Sequence, residues 1–499
     1  MTRRMTIDEL MERSGVRFGT SGARGPVDAM TDAVCWAYTA AFIDHLASEG
    51  RLGPDRRVLV AGDLRPSTPR ILAAVCRAIT DRGLVPVDCG RIPTPALVLA
   101  GITGRVPSVM VTGSHIPEDR NGIKFHAPDG EILKRDEQAI RARHVELPPI
   151  FDRDGMLREP PPARETSAAA LEDYRRRYLG GLPPDALAGL RVGVYQHSAV
   201  ARDLLVEVLE ALGAQVVAFG RSETFVPVDT EAVRPEDLAL ARRRCAEDRL
   251  DAVVSTDGDS DRPLVFDEHG EQVRGDVAGI LVARALGARI AVTPISSTTA
   301  AERCGAFDEV RRTRIGSPYV IAEMLAAAGT GAGPVVGWEA NGGFLTASPV
   351  RLGDASLAPL PTRDALIVIL VLLLECRRRG EPLSALVDAL PPRFTASNRL
   401  RDVPREIAVA RLEALLAGGP RAIERELPFV GTVRSIDTTD GLRLVLDGDE
   451  IVHLRPSGNA PELRAYAEAD SRERAVELVR LALDAAARWT RPEDPGDAD

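Results

Sequence analysis

The chain predicts a layered α/β fold, with helices on both faces of mixed sheets, and three observations carry that prediction. Its 499 residues exceed what one hydrophobic core serves, so several domains are expected. Short valine-rich apolar runs are followed by helical stretches and then by further apolar runs. This strand–helix–strand event recurs in units of about 30 residues.

Taken in order, Arg57-Val-Leu-Val-Ala-Gly62 reads as a strand, Thr68 to Asp81 as a helix, and Leu84-Val-Pro-Val87 as the next strand, closed by Gly90. Arg191-Val-Gly-Val-Tyr195 starts the same series, with a helix from Ala201 to Leu212 and a strand Gln215-Val-Val-Ala-Phe219 before Gly220. A third strand, Arg289-Ile-Ala-Val-Thr293, leads into Ser297 to Glu302. The longest apolar run, Ala365 to Leu374, lies between Asp364 and Glu375 and is far too short to span a bilayer. It reads as a helix buried on most sides. Pro160-Pro-Pro162 and Pro391-Pro392 break the pattern, and the tail after Trp489 reads as frayed.

Composition narrows the function classes. A net charge of −10 and 44% apolar residues suit a large globular protein and argue against nucleic acid or an anionic membrane as partner. Six cysteines (35, 76, 89, 245, 304 and 376) show no Cys-x-x-Cys spacing, so reduced thiols in a cytoplasm are expected. The N-terminus meets Asp8 and Glu9 with no apolar core region, so no signal peptide is read there.

Only two lysines occur, and Lys124 closes the stretch Thr112-Gly-Ser-His-Ile-Pro-Glu-Asp-Arg-Asn-Gly-Ile-Lys124. Lysine, unlike arginine, exchanges protons near neutral pH once its pKa is lowered. One lysine of two must fall somewhere, but its neighbours favour chemistry. Ser114 and His115 follow the apolar run Val109-Met-Val111, which puts the serine just past a strand end with an accessible hydroxyl. Pro117 and Asn121-Gly122 are expected to impose turns.

The second dense signal is Asp257-Gly-Asp-Ser-Asp-Arg262, after the apolar run Ala252-Val-Val254. Three alternating carboxylates repel unless a cation lies among them, and all-oxygen ligands point to a hard ion such as Mg2+ or Ca2+. An EF-hand would use Glu268 as its last ligand, but it needs glycine where Arg262 stands and a helix where a strand is predicted. A haloacid-dehalogenase-type phosphatase would use Asp257 as nucleophile, yet Asp261 stands where that motif carries Thr or Val. A solvated acidic loop without a ligand is the remaining reading.

With these motifs the chain resembles the α-D-phosphohexomutase superfamily, the phosphoglucomutase/phosphomannomutase enzymes. The phosphoserine loop is Thr112 to Pro117, with Ile116 where Asn is commonest. The metal loop is Asp257 to Arg262, with Ser260 for the usual Gly. The sugar-recognition loop is Gly337-Trp-Glu-Ala-Asn-Gly342, with Asn341 for a frequent serine. The phosphate-binding loop is Arg455-Pro-Ser-Gly-Asn-Ala-Pro461, with Asn459 where Thr is common. Arg17-Phe-Gly-Thr-Ser-Gly-Ala-Arg-Gly25 matches the N-terminal signature.

The resemblance implies three related α/β/α domains (1–160, 161–271 and 272–390) and a C-terminal α+β domain (391–499) around one central cleft. It implies Ser114 as the phosphorylated residue, with Ser114, Asp257, Asp259 and Asp261 holding one Mg2+. Lys124 is the expected base, beside Arg24 and Arg262; His115 is an alternative base or an orienting group. Arg17, Thr20 and Ser21, with Glu339 and Asn341 on the sugar hydroxyls and Arg455, Ser457, Gly458 and Asn459 on phosphate, would bind substrate. The expected reaction interconverts mannose 6-phosphate and mannose 1-phosphate through a hexose 1,6-bisphosphate, which also serves as activator. Phosphoglucomutase or dual activity is the alternative, phosphoglucosamine mutase a lesser one, and a magnesium-dependent sugar-phosphate phosphatase a different class. The partners are small hexose phosphates, and the expected state is a monomer or weak homodimer.

Overall fold

The computed structural model describes residues 4–19, 22–160, 164–457 and 461–490. The chain divides into two compact units. One holds Met1–Val292, Phe307–Arg311 and Gly316–Ala389; the other holds Thr293–Ala306, Arg312–Ile315 and Leu390–Asp499.

Within the first unit the repeats of the sequence become sheets built to one plan. The first sheet runs Glu165–Thr166, Val85–Asp88, Arg57–Gly62, Ser108–Val111, Arg120–Ala127, Gly22–Pro26, Arg17–Phe18. Its members up to Ser108–Val111 pair in parallel, and Arg120–Ala127 then turns back antiparallel. The edge strand Glu165–Thr166 lies beyond the proline run yet pairs with Val87 and Asp88. In the second sheet Arg191–His197 and Ala252–Thr256 are parallel, and Pro263–Phe266 returns antiparallel. In the third, Ile290–Pro294 and Val335–Trp338 are parallel and Phe344–Thr346 returns antiparallel. The three motif loops therefore occupy one structural position, the hairpin that ends a buried parallel strand. A parallel strand needs apolar residues on both faces, so each run is uniformly apolar and stops where the polar loop begins.

The predicted helix Thr68–Asp81 forms with its apolar stripe (Ile71, Leu72, Val75, Ile79) buried. Arg202–Ala211 and Ala365–Arg379 also form, and the latter buries every residue from Ala365 to Leu373, as its composition requires. Asn121-Gly122 differs from expectation: both lie inside the strand Arg120–Ala127. Asn121 spends its amide on Ser67 Oγ at 2.8 Å and Thr68 Oγ1 at 3.1 Å, bonds that a turn would not offer. A Cβ on Gly122 would come within 2.8 Å of the Ala23 and Thr112 carbonyl oxygens, so the strand needs glycine for closeness.

The second unit carries an antiparallel sheet ordered Phe394–Arg401, Glu462–Ala469, Ile451–Pro456, Leu442–Leu446, Val433–Asp437. The helical segment Arg405–Glu426, broken at Gly419, and the helix Arg472–Ala486 bury Leu412, Leu415, Leu478 and Ala482 in the same cluster as Leu444, Leu454 and Leu463. Among the described residues no helix is long and apolar enough to cross a membrane.

Candidate active site

Ser114 heads the hairpin after Ser108–Val111 and adopts the left-handed conformation, φ +56°. Its amide donates to Thr112 Oγ1 at 2.8 Å, whose hydroxyl donates to Asp63 at 2.8 Å. Arg65 fixes the loop from beneath. Its guanidinium donates to the carbonyls of Ser114 (3.0 Å), Ile116 (2.5 Å), Pro117 (2.7 Å) and Arg120 (3.0 Å) and to Asp63 (3.1 Å). The Phe225 ring covers it at 3.9 Å. A Cβ on Gly113 would lie 2.6 Å from the Arg65 guanidinium carbon, so glycine there lets the arginine reach the loop. The serine is not accessible as its sequence position implied. It is wholly buried, because its hydroxyl turns inward and donates to Asp257 at 2.5 Å.

Asp257, Asp259 and Asp261 are all 0% exposed, and one carboxylate oxygen from each lies within 4.8 Å of the others. Lys124 Nζ donates to Asp259 at 2.6 Å and to Asp261 at 2.5 Å. Arg363 Nε donates to the same Asp261 oxygen at 3.0 Å, and Thr94 Oγ1 donates to Asp259. Those partners leave Oδ1 of both Asp259 and Asp261 buried without a hydrogen bond among the described residues; Asp261 Oδ1 has only Arg262 Nε, at 3.7 Å. Burial, then the charges of Asp259 and Asp261, push Asp257 up to about 7. Asp261 goes the other way: burial opposes its charge, but Arg363, Lys124 and Arg262 hold it far below the carboxylate range. With one orphaned oxygen on each of Asp259 and Asp261 and a third carboxylate at Asp257, the three acids fit a hard divalent cation, and this donor set can hold one.

Ser260 sits at φ +57°, which explains why glycine is usual at this position of the motif. The serine is held there by bonds to its Oγ from Ala201 N at 3.0 Å and Thr256 Oγ1 at 2.8 Å. Glu268, the EF-hand candidate, is instead taken up by the Ser384 amide and hydroxyl. The segment after Asp261 is the strand Pro263–Phe266, so no EF-hand forms.

His115 lies 3.4 Å from Ser114 Oγ through Nδ1, which also meets the Arg262 guanidinium. Burial and then the Arg262 charge bring its imidazole down to about 3, so it is neutral near pH 7 and acts as an acceptor. Arg24 stands opposite Gly122, one strand from Lys124, and burial followed by Arg262 lowers it to about 10. Glu339, buried, begins the third hairpin loop and receives Arg363 Nη1 at 3.4 Å. Asn341 turns its side chain onto the Gly343 amide at 3.0 Å, while its carbonyl accepts from Thr230 at 2.7 Å. Arg17 is exposed on the strand paired with Arg24. In the second unit, Arg455 pairs with Asp440 at 2.8 Å and the Ser457 carbonyl accepts from Arg405 at 3.2 Å. Thr20, Ser21, Gly458 and Asn459 lie outside the described residues.

Sequence reasoning missed Arg65, Arg363, Thr94 and Asp63. Arg65 and Asp63 had a faint signal, a charged pair just past the strand Arg57–Gly62. Arg363 was one arginine of 61 and had none.

Four family descriptions match the chain in order: phosphoglucomutase/phosphomannomutase alpha/beta/alpha domain I over 15–147, domain II over 178–270, domain III over 274–394 and the C-terminal domain over 400–485. A phosphomannomutase of Sinorhizobium fredii (strain NBRC 101917 / NGR234) is 44% identical over 469 residues, covering 94% of this chain and 98% of the relative. One from Salmonella muenchen is 42% identical over 480 residues, covering 95% and 96%. The crystal structure of a phosphoglucomutase/phosphomannomutase family protein from Burkholderia thailandensis shares the fold, with a TM-score of 0.73 at 22% identity over 96% of this chain and 97% of that one. The chain belongs to the phosphoglucomutase/phosphomannomutase family, and it is a phosphohexomutase, an isomerase.

Proposed function

We propose that this enzyme is a phosphomannomutase that interconverts mannose 6-phosphate and mannose 1-phosphate through a phosphoserine at Ser114 and a hexose 1,6-bisphosphate. The observation that carries the reading is the Ser114 hydroxyl, 2.5 Å from Asp257 at the edge of the carboxylate triad. The phosphomannomutase relatives at 44% and 42% identity supply the choice of sugar. Ser114, Asp257, Asp259 and Asp261 are the residues we assign to Mg2+, which would draw charge from the transferring phosphoryl group.

The chain's own groups then have these tasks. As a sugar hydroxyl attacks the phosphoryl group, the bond from phosphorus to Ser114 breaks and the new sugar ester forms. Lys124, assigned as the base, takes the hydroxyl's proton and passes it to the Ser114 oxygen as that group leaves. Arg24 and Arg262 offset phosphate charge, and His115 orients the serine loop. Glu339 and Asn341 hold sugar hydroxyls. Arg17, Thr20 and Ser21 are assigned to the substrate, and Arg455, Ser457, Gly458 and Asn459 to its non-reacting phosphate. The bisphosphate reverses end for end and returns its other phosphate to Ser114; added bisphosphate therefore restores enzyme left unphosphorylated. We place the reaction in the cytoplasm, which suits six unpaired cysteines, with a monomer or weak homodimer as the working unit.

Peptide mapping is expected to find phosphate on Ser114, and Ser114→Ala to lose nearly all turnover. Phosphoryl-aspartate at Asp257 would overturn the reading in favour of a phosphatase. Compared kcat/KM values for mannose, glucose and glucosamine 1-phosphates are expected to rank mannose first; a higher value for glucose would make the enzyme a phosphoglucomutase.

A further inference from the structure

Arg363 is the least expected charge in the site. It lies just before the apolar helix Ala365–Arg379, in no motif of the sequence, and is 1% exposed. Its guanidinium joins two loops from different sheets. Nε and Nη2 reach Asp261 Oδ2 at 3.0 and 2.9 Å, and Nη1 reaches Glu339 Oε2 at 3.4 Å. Behind them Nη1 also donates to Ser317 Oγ at 3.2 Å, and Glu131 lies 3.8 Å from Nη2. Glu131 is itself fixed, accepting from Thr362 at 2.7 Å and Ser317 at 3.0 Å.

The loop geometry is built around this side chain. A Cβ on Gly343 would come within 2.5 Å of the Arg363 Cγ and Cδ atoms, so the chain uses glycine there to let the stem pass under the Glu339 loop. The consequences at the two carboxylates are parallel. Arg363 and Lys124 both occupy Oδ2 of Asp261, which leaves Oδ1 buried without a hydrogen bond among the described residues. Arg363 holds Glu339 through Oε2 in the same way. A rigid guanidinium fork can hold two carboxylates at a fixed separation, whereas an ammonium on a flexible stem cannot.

We propose that Arg363 is a positioning residue that sets the metal loop and the sugar loop together, so that one substitution weakens cation binding and sugar-phosphate binding at once. The inference rests on the assignment of Asp261 to the cation and of Glu339 to the sugar. It goes beyond that assignment by coupling the two sites through a residue that belongs to neither motif.

The test titrates Mn2+ alone, by electron paramagnetic resonance, into wild type, Arg363→Lys, Glu339→Gln and Asp261→Asn, with circular dichroism to confirm folding. Turnover of mannose 1-phosphate at saturating Mg2+ then gives KM and kcat. Arg363→Lys keeps the charge, so it is the variant expected to fold. It should bind Mn2+ on the order of tenfold more weakly, the scale for losing an outer partner of a metal ligand, and raise KM even when metal saturates. Glu339→Gln should raise KM and leave Mn2+ affinity unchanged. If folded Arg363→Lys binds Mn2+ as wild type does, or changes Mn2+ affinity without changing KM, the coupling role is overturned while the site assignments stand. If Asp261→Asn keeps wild-type Mn2+ affinity, the metal assignment itself fails, and the proposal with it.

Discussion

Two residues show how much of the serine and metal loops depends on single side chains. Arg65 makes four donations to loop carbonyls and pairs with Asp63, and both are fully enclosed. Arg65→Met should strand Asp63, which burial already pushes above the usual carboxylate range, and cost about 3–5 kcal/mol of stability. Arg65→Lys should fold but misplace Ser114, and with Ser114 as the proposed phosphoryl carrier kcat should fall by on the order of 100-fold, since a reacting group about 1 Å out of line loses that much. Denaturant midpoints and steady-state kinetics check the pair. Ser260, held left-handed by two bonds to its hydroxyl, gives a contrasting expectation. Ser260→Gly should change stability by less than about 1 kcal/mol, as relief of strain offsets the lost bonds, whereas the β-branched Ser260→Val should be clearly destabilising.

At the scale of elements, each motif loop is the turn of a hairpin that ends a buried parallel strand. That placement was legible because a strand buried on both faces must be apolar throughout, so the loop announces itself by contrast. Asn121-Gly122 was misread because local turn chemistry is identical to that of a strand glycine chosen for close approach; the approaching carbonyls of Ala23 and Thr112 come from elsewhere in the sequence. The helix Gly275–Ala285 offers a test of the same kind. Gly279 lies against the Trp338 ring, whose Cγ a new Cβ would overlap. Gly279→Ala gains up to about 1 kcal/mol of helix propensity but must displace a buried indole, so we expect net destabilisation of about 1–3 kcal/mol, read from urea midpoints.

Over the whole molecule, acid stability reports on buried histidines. Burial holds the imidazoles of His126, His197 and His453 down at about 4, against an ordinary value of 6.5. The unfolded chain binds their protons first, so stability is full above about pH 6.5 and falls as pH drops toward 4. The denaturant midpoint should therefore decline over that window. His453→Gln, which can keep a bond to the Asp440 carbonyl that His453 contacts at 2.6 Å, should flatten part of the slope. By itself the sequence determined the layered α/β class, the strand ends that carry Ser114, Asp257 and Glu339, and a carboxylate triad that can hold a cation, because apolar period and carboxylate spacing are local properties. Only the tertiary structure decided that Lys124 lies between Asp259 and Asp261, that Ser114 is turned inward, and that Arg65 and Arg363 brace the loops. Those arginines act across tens to hundreds of residues, and a buried ion pair is recognisable only once folding has removed water from around both partners.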